Sequence, residues 1–182
     1  MDQVFAPWRI EWVERDPEED AVDGCPFCVL PERDDDRDSR IVARSPRSFV
    51  LLNNYPYSPG HAMVIPRVHE REYAALGEAT LSDHARLKQR TMRALEAALS
   101  PDGLNAGVNL GGAAAGGSID DHLHTHVVPR WEGDTNFMAV VSDTQVIVEA
   151  LDDTWERLRD AFAEQEGASV GGDDDGVRFG FD

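Results

Sequence analysis

Two periodicities divide the chain. Short apolar or alternating runs bounded by turn residues read as strands at Ile41–Arg44, Ser48–Leu52, Ala62–Pro66 and over 104–110. The first two are joined by a turn at Ser45-Pro46-Arg47, and residues 53–60 (Asn-Asn-Tyr-Pro-Tyr-Ser-Pro-Gly) have the composition of a loop. A fifth strand falls on His122-Leu-His-Thr-His-Val-Val128, where imidazoles alternate with aliphatic or β-branched residues. A helical period governs 80–100: Leu81, His84, Leu87, Thr91, Leu95 and Leu99 recur on one face, and Pro101-Asp102-Gly103 closes the segment. His84 reads there as a structural or partly exposed residue. Residues 144–165 repeat the pattern with Ile147, Leu151, Trp155 and Leu158. The stretch 167–182, rich in Gly and Asp, reads as a loose tail in which Val177, Phe179 and Phe181 are the residues able to dock. Strands grouped around one long helix predict an α+β fold: a five-stranded, mostly antiparallel sheet with a long central helix and a C-terminal helix. The corresponding division is an N-terminal extension over 1–24, a main domain over 25–140, and a C-terminal helix with an acidic tail over 141–182.

Composition narrows the class. The 182 residues, 41% of them hydrophobic, suffice for one domain with a real core. No apolar run approaches the roughly 20 residues that span a bilayer, and the N-terminus lacks a basic region followed by an apolar core, so a cytoplasmic protein without membrane attachment is expected. Net charge is −18, with 17 Lys and Arg against 35 Asp and Glu. No basic patch is evident, which argues against a nucleic-acid partner. Lys88 is the only lysine. Strong acidity with arginine in place of lysine resembles the habit of salt-in halophiles, in which salt screens the self-repulsion.

The chemistry concentrates in a few residues. Half of the six histidines lie on the fifth strand. Strand alternation puts His122, His124 and His126 on one face, each about 6–7 Å from the next, with Thr125 and Val127 on the other. Imidazole titrates near neutrality and suits nucleophilic, acid–base or metal-ligand work. Directly ahead lies Asn109-Leu-Gly-Gly-Ala-Ala-Ala-Gly-Gly-Ser118, whose small residues let backbone N–H groups approach an anion. A flexible surface loop explains such a run as well, but its position before three histidines makes it a candidate phosphate cradle, with Gly117 and Ser118 at its end. The two cysteines, Cys25-Pro-Phe-Cys28, point in a cytosolic chain to metal or redox chemistry, not to a structural disulfide. Zinc, reduced thiols in a core turn and a redox pair are the three readings.

Asn109, the glycine-rich run through Ser118, His122 to Val128 and Pro129-Arg130 resemble the signature of the histidine triad (HIT) family. Residues 53–69, from Asn53-Asn54 through Gly60-His61 and Pro66-Arg67 to His69, resemble its other recurring segment. The likeness covers about residues 25–140. Ala6-Pro7-Trp8-Arg9 and the stretch from Trp131 to Phe137-Met138 look like the branch named for diadenosine tetraphosphate phosphorylases and hydrolases.

The resemblance implies a HIT-like fold, a homodimer and nucleotidyl transfer on a nucleoside polyphosphate, with 25–140 as the nucleotide-binding catalytic domain. His124 matches the nucleophile that attacks the α-phosphorus, and His126 a proton donor toward phosphate or leaving group. Asn109, Ser118 and the loop amides would stabilise phosphoryl oxygens. His61 matches a histidine near the active site, although its apolar neighbours also allow a structural role. Asn53 falls where the family binds ribose, often with Asp. Phe27, Leu51 and Leu52 fall on positions that wall the base pocket or belong to ordinary core. The chain departs from the family in lacking Gln before Ser118. By resemblance to the zinc-bearing branch, His69 and His122 would join Cys25 and Cys28 around a structural zinc, with no organic cofactor; without zinc, His122 would contact phosphate. Two other functions stay open: a metal-dependent hydrolase using the three histidines as ligands, and a nucleotide-binding sensor with little turnover.

Overall fold

The computed structural model describes residues 23–110, 121–134 and 150–181. Their framework is a seven-stranded sheet. β1 (Ile41–Arg44), β2 (Ser48–Leu52), β3 (Ala62–Pro66), β4 (Gly103–Asn109) and β5 (His124–Arg130) are followed by β6 (Ala168–Ser169) and β7 (Val177–Phe179). The order across the sheet is β4-β5-β3-β2-β1-β7-β6. The five expected strands pair antiparallel, but β7 adds to β1 in parallel and β6 pairs antiparallel with β7, so the sheet is mixed. The segment 167–182, expected as a loose tail, thus supplies two strands. Val177 and Phe179 are buried and Arg178 is exposed, the alternation of a half-buried strand.

β2 and β3 are buried along their whole length, which is why they read as mostly apolar runs. They match rung for rung from Ser48↔Pro66 to Leu52↔Ala62. The two faces carry separate apolar layers. One is covered by α2 (Glu78–Leu99) and α3 (Leu151–Ala163), which bury Leu87, Leu95, Trp155, Leu158 and Phe162 against Val42, Val50, Leu52, Val64 and Val127. α2 stops where Ser100 enters the left-handed region at φ 47°, ahead of Pro101. On the other face α1 (Pro26–Val29), a single turn begun by a proline, lays Phe27 over Ile41, Phe49, Leu51, Met63 and Ile65.

A buried ion pair joins distant segments behind this second layer. Arg44 donates to both carboxylate oxygens of Asp36 and, from Nη1, to the Pro31 carbonyl at 2.8 Å. Asp36 also accepts the Gly176 N–H at 2.9 Å. The chain segment behind α1, the β1 strand and the entry to β7 are therefore tied at one carboxylate. Among the described residues, no helix is long and apolar enough to cross a membrane.

Candidate active site and metal centre

The β3–β5 register opposes Met63 to His126 and Val64 to Thr125. Because side chains alternate, His124 and His126 share the face of Met63 and Phe27, while Thr125 turns toward α2. There Thr125 Oγ1 lies 3.1 Å from Nε2 of His84, which is fully buried and also 3.3 Å from the Val64 carbonyl. His84 is thus structural and not exposed.

The proton positions on the imidazoles follow from fixed backbone groups. His124 Nδ1 donates to the His122 carbonyl at 2.9 Å, which leaves the lone pair on Nε2. Burial lowers the His124 pKa, so the ring stays neutral at pH 7. The Tyr57 N–H donates to His61 Nδ1 at 3.1 Å, so the His61 proton sits on Nε2 and is donated to His126 Nδ1, 2.8 Å away. His126 in turn carries its proton on Nε2; the Asn109 Nδ2 position lies 3.3 Å from that nitrogen, and the amide accepts this proton with its oxygen turned to that side. One backbone amide thereby sets the tautomers of two histidines. Gly60 makes the turn possible: its φ is +78°, and a Cβ there would meet Leu99 Cδ1 at 2.3 Å.

Burial and the adjacent His126 and His124 push the His61 pKa down to about 3. Unfolded, His61 takes up a proton below about pH 6.5. Between those values the unfolded chain binds the extra proton, so stability falls as pH falls. The slope reaches about 1.4 kcal/mol per pH unit for this group. His84, His122 and His124, each lowered chiefly by burial, act in the same direction. Urea midpoints are expected to drop between pH 7.5 and 5.5; equal midpoints would contradict neutral buried imidazoles.

His122, the first of the ridge, faces elsewhere. Its Nε2–H donates to the Pro66 carbonyl at 2.8 Å, so the Nδ1 lone pair points at two sulfurs, Cys25 Sγ at 3.3 Å and Cys28 Sγ at 3.6 Å. Cys28 Sγ lies 3.2 Å from His69 Nδ1. The ligand atoms of Cys25, Cys28, His69 and His122 all lie within 4.8 Å of one another, and both cysteines are free of disulfides. Around tetrahedral zinc, sulfur–nitrogen edges come to about 3.5 Å, and a ligating histidine characteristically donates its other N–H to a carbonyl. Donor set, spacing and tautomer therefore all fit the ion. Burial, with Cys25 alongside, raises the Cys28 thiol pKa, an effect the charge of a divalent ion would reverse. The three ridge imidazoles do not converge on one point: the partners of His122, His124 and His126 differ, and among the described residues only His122 belongs to a metal-capable cluster.

The remaining sequence-predicted residues divide. Phe27, 2% exposed, sets its ring edge-on 5.3 Å from that of His124, and Leu51 shares its layer. Leu52 does not: it lies in the opposite layer beneath α2 and α3, away from His124. Asn53 follows β2, where its Oδ1 accepts the Tyr55 N–H at 2.8 Å and its Nδ2 reaches Met63 Sδ at 3.8 Å. Gly117 and Ser118 lie outside the described residues, as do Trp8, Trp12, Phe137, Met138 and Ile147. Tyr57, stacked on His61 with ring centroids 4.7 Å apart, went unremarked in the sequence. Its one signal is an aromatic four positions ahead of a histidine in a Gly/Pro loop.

Fold and site define an α+β protein whose edge-protected strand presents a neutral imidazole beside a second, proton-bearing one, with a Cys/His cluster at its head. The chain belongs to the HIT domain family, whose profile matches residues 35–133. It is 36% identical over 170 residues to the AP-4-A phosphorylase of Mycobacterium tuberculosis, covering 91% of this chain and 86% of that one. A crystal structure of a zinc-bound histidine triad family protein from Mycobacterium smegmatis superposes with a TM-score of 0.60 at 26% identity, over 78% of this chain and 94% of that one. The crystal structure of a hypothetical histidine triad nucleotide-binding protein from Sulfolobus tokodaii gives 0.60 at 28% identity, over 76% and 91%.

Proposed function

We propose that this chain is a HIT-family nucleotide phosphorylase or hydrolase that cleaves a dinucleoside polyphosphate through a nucleotidyl-His124 intermediate. The observation that carries the reading is the tautomer of His124: its Nδ1–H is committed to the His122 carbonyl, so the Nε2 lone pair is available as a nucleophile. Attack of Nε2 on the α-phosphorus forms the P–N bond as the bond to the leaving polyphosphate oxygen breaks. His126 Nε2–H donates a hydrogen bond to the leaving oxygen, which departs as a polyphosphate anion, and the His61 Nε2–H holds the His126 ring in that tautomer throughout. An acceptor then attacks the same phosphorus and releases His124. Asn109, with Gly117 and Ser118 of the glycine-rich run, stabilises the phosphoryl oxygens. Phe27 and Leu51 wall the base, and Asn53 serves the ribose with whatever capacity its contact to Tyr55 leaves.

The 36% identity to a protein named AP-4-A phosphorylase favours diadenosine tetraphosphate as substrate and phosphate as acceptor. Incubation with diadenosine tetraphosphate in high salt, with and without phosphate, tests this. ADP formed together with ATP only when phosphate is present is the expected result. AMP plus ATP without phosphate would make the enzyme a hydrolase, and no cleavage with tight nucleotide binding would leave a sensor.

Zinc held by Cys25, Cys28, His69 and His122 would act as a structural cross-link and supply nothing to the displacement itself. The chain also forms a homodimer in this reading, supported by β4, whose exposed Gly103, Asn105, Ala106 and Gly107 lie on an outer strand of the sheet. Sedimentation at the mass of one chain would exclude it.

A further inference from the structure

We infer that the Cys25–Cys28–His69–His122 cluster and the nucleotide pocket are energetically linked through Phe27 and His122, so that occupancy of either raises affinity at the other. The inference rests on the zinc and nucleotide readings above.

Two connections run from the cluster to His124. The first is Phe27. Cys25 and Cys28 flank it within one turn, closed by Cys28 and Val29 N–H groups donating to the Cys25 carbonyl at 3.0 and 3.1 Å. Whatever pins both sulfurs pins the Phe27 backbone between them. The Phe27 ring then meets His122 at 5.5 Å and 86° and His124 at 5.3 Å and 61°, both edge-on contacts. A base lying against Phe27 presses on a residue whose position the metal ligands determine.

The second connection is His122 itself. Its side chain faces the sulfurs, while its carbonyl receives the His124 Nδ1–H. The residue that would hold the ion therefore also supplies the acceptor that fixes the tautomer of the nucleophile. The loop bearing His69 is fastened to the same place, since the Leu123 N–H donates to the Glu70 carbonyl at 2.8 Å and the His69 and His122 rings lie 4.9 Å apart. Three segments thus meet at the cluster: the α1 turn, the loop after β3 and the head of β5. With an ion bound they are held by four strong bonds; without it, by weak thiol–imidazole contacts. The arrangement that favours the ion is the one that places Phe27 and His124 for a nucleotide, and by linkage the effect is reciprocal. A peripheral staple would raise stability alone.

The test uses the full chain in high salt, loaded with zinc or stripped by chelator, with AMP as the nucleotide probe. AMP affinity is measured by calorimetry on both forms, and zinc affinity against a competing chelator with and without saturating AMP. Linkage predicts that zinc tightens AMP and AMP tightens zinc by the same factor, about tenfold. Phe27→Leu is expected to keep zinc affinity in the absence of AMP while shrinking that factor toward one. Stoichiometric zinc binding with identical AMP affinities overturns the linkage and leaves both readings standing. A chain that binds AMP but no zinc overturns the zinc reading with it, and one that binds zinc but no AMP overturns the nucleotide reading with it. If the stripped protein unfolds, cobalt replaces zinc: AMP is then expected to shift the ligand-field bands, and an unchanged spectrum overturns the proposal.

Discussion

Replacing His124 by alanine is expected to reduce turnover of the dinucleotide by about 10³–10⁵-fold, the scale on which covalent catalysts depend on their nucleophile. The mechanism leaves no substitute. His126 carries its proton on Nε2, and its Nδ1 lone pair accepts the His61 Nε2–H, so it offers no lone pair to phosphorus. His122 spends one nitrogen on Pro66 and aims the other at two sulfurs. Binding should survive, because Phe27, Leu51 and Asn109 remain. Some fold stability is lost with a side chain only 5% exposed, so circular dichroism and AMP affinity must accompany the rate. Activity within tenfold of the parent would refute covalent catalysis by His124. A labelled nucleotide on His126 in this variant would refute the tautomer assignment.

Arg44→Met is expected to cost about 3–5 kcal/mol of folding free energy, the usual penalty for leaving one member of a buried pair uncompensated. Asp36 is buried, 4% exposed, and among the described residues its side chain would keep only the Gly176 N–H as partner. The Pro31 carbonyl would also lose its donor. Arg44→Lys should recover part of the loss, since an ammonium cannot reach both Asp36 oxygens and Pro31 in the planar fork that guanidinium provides. Urea unfolding in the same salt measures both. A loss under about 1 kcal/mol for Arg44→Met would mean that water already reaches the pair. Because Pro31 follows the Cys25–Cys28 turn, the variant should also loosen Phe27 and so weaken AMP binding.

What the sequence made legible follows from which interactions are local. β2 and β3 are short, mostly apolar runs between turn residues, and the helical faces of α2 and α3 repeat within a single segment. A period of two suffices to put His124 and His126 on one side and Thr125 on the other. The same rule separates Leu51 from Leu52: adjacent strand residues face opposite ways, so the two cannot both wall one pocket. β6 and β7 escaped because strands of two and three residues carry too little pattern, and a parallel pairing with β1 leaves no turn between partners to read. Likewise, no property of the loop over 53–60 indicates that the Tyr57 amide would fix the His61 tautomer. That contact becomes visible only once β3 is known to lie beside β5, which brings His61, Met63 and His126 to the same face.

The parallel pairing of β7 with β1 also bears on how the molecule is made. β1, β2 and β3 are neighbours in sequence and can assemble as a meander while synthesis continues. The outer edge of β1 cannot be covered until residues far downstream exist: Trp155 reaches the Ile41 carbonyl across 114 positions, and Gly176 reaches Asp36 across 140. Until then a fully buried strand stands as an open edge, the kind of surface that recruits other unfinished chains. Folding during synthesis is therefore expected to finish with the docking of α3 and β7, the step that closes this edge.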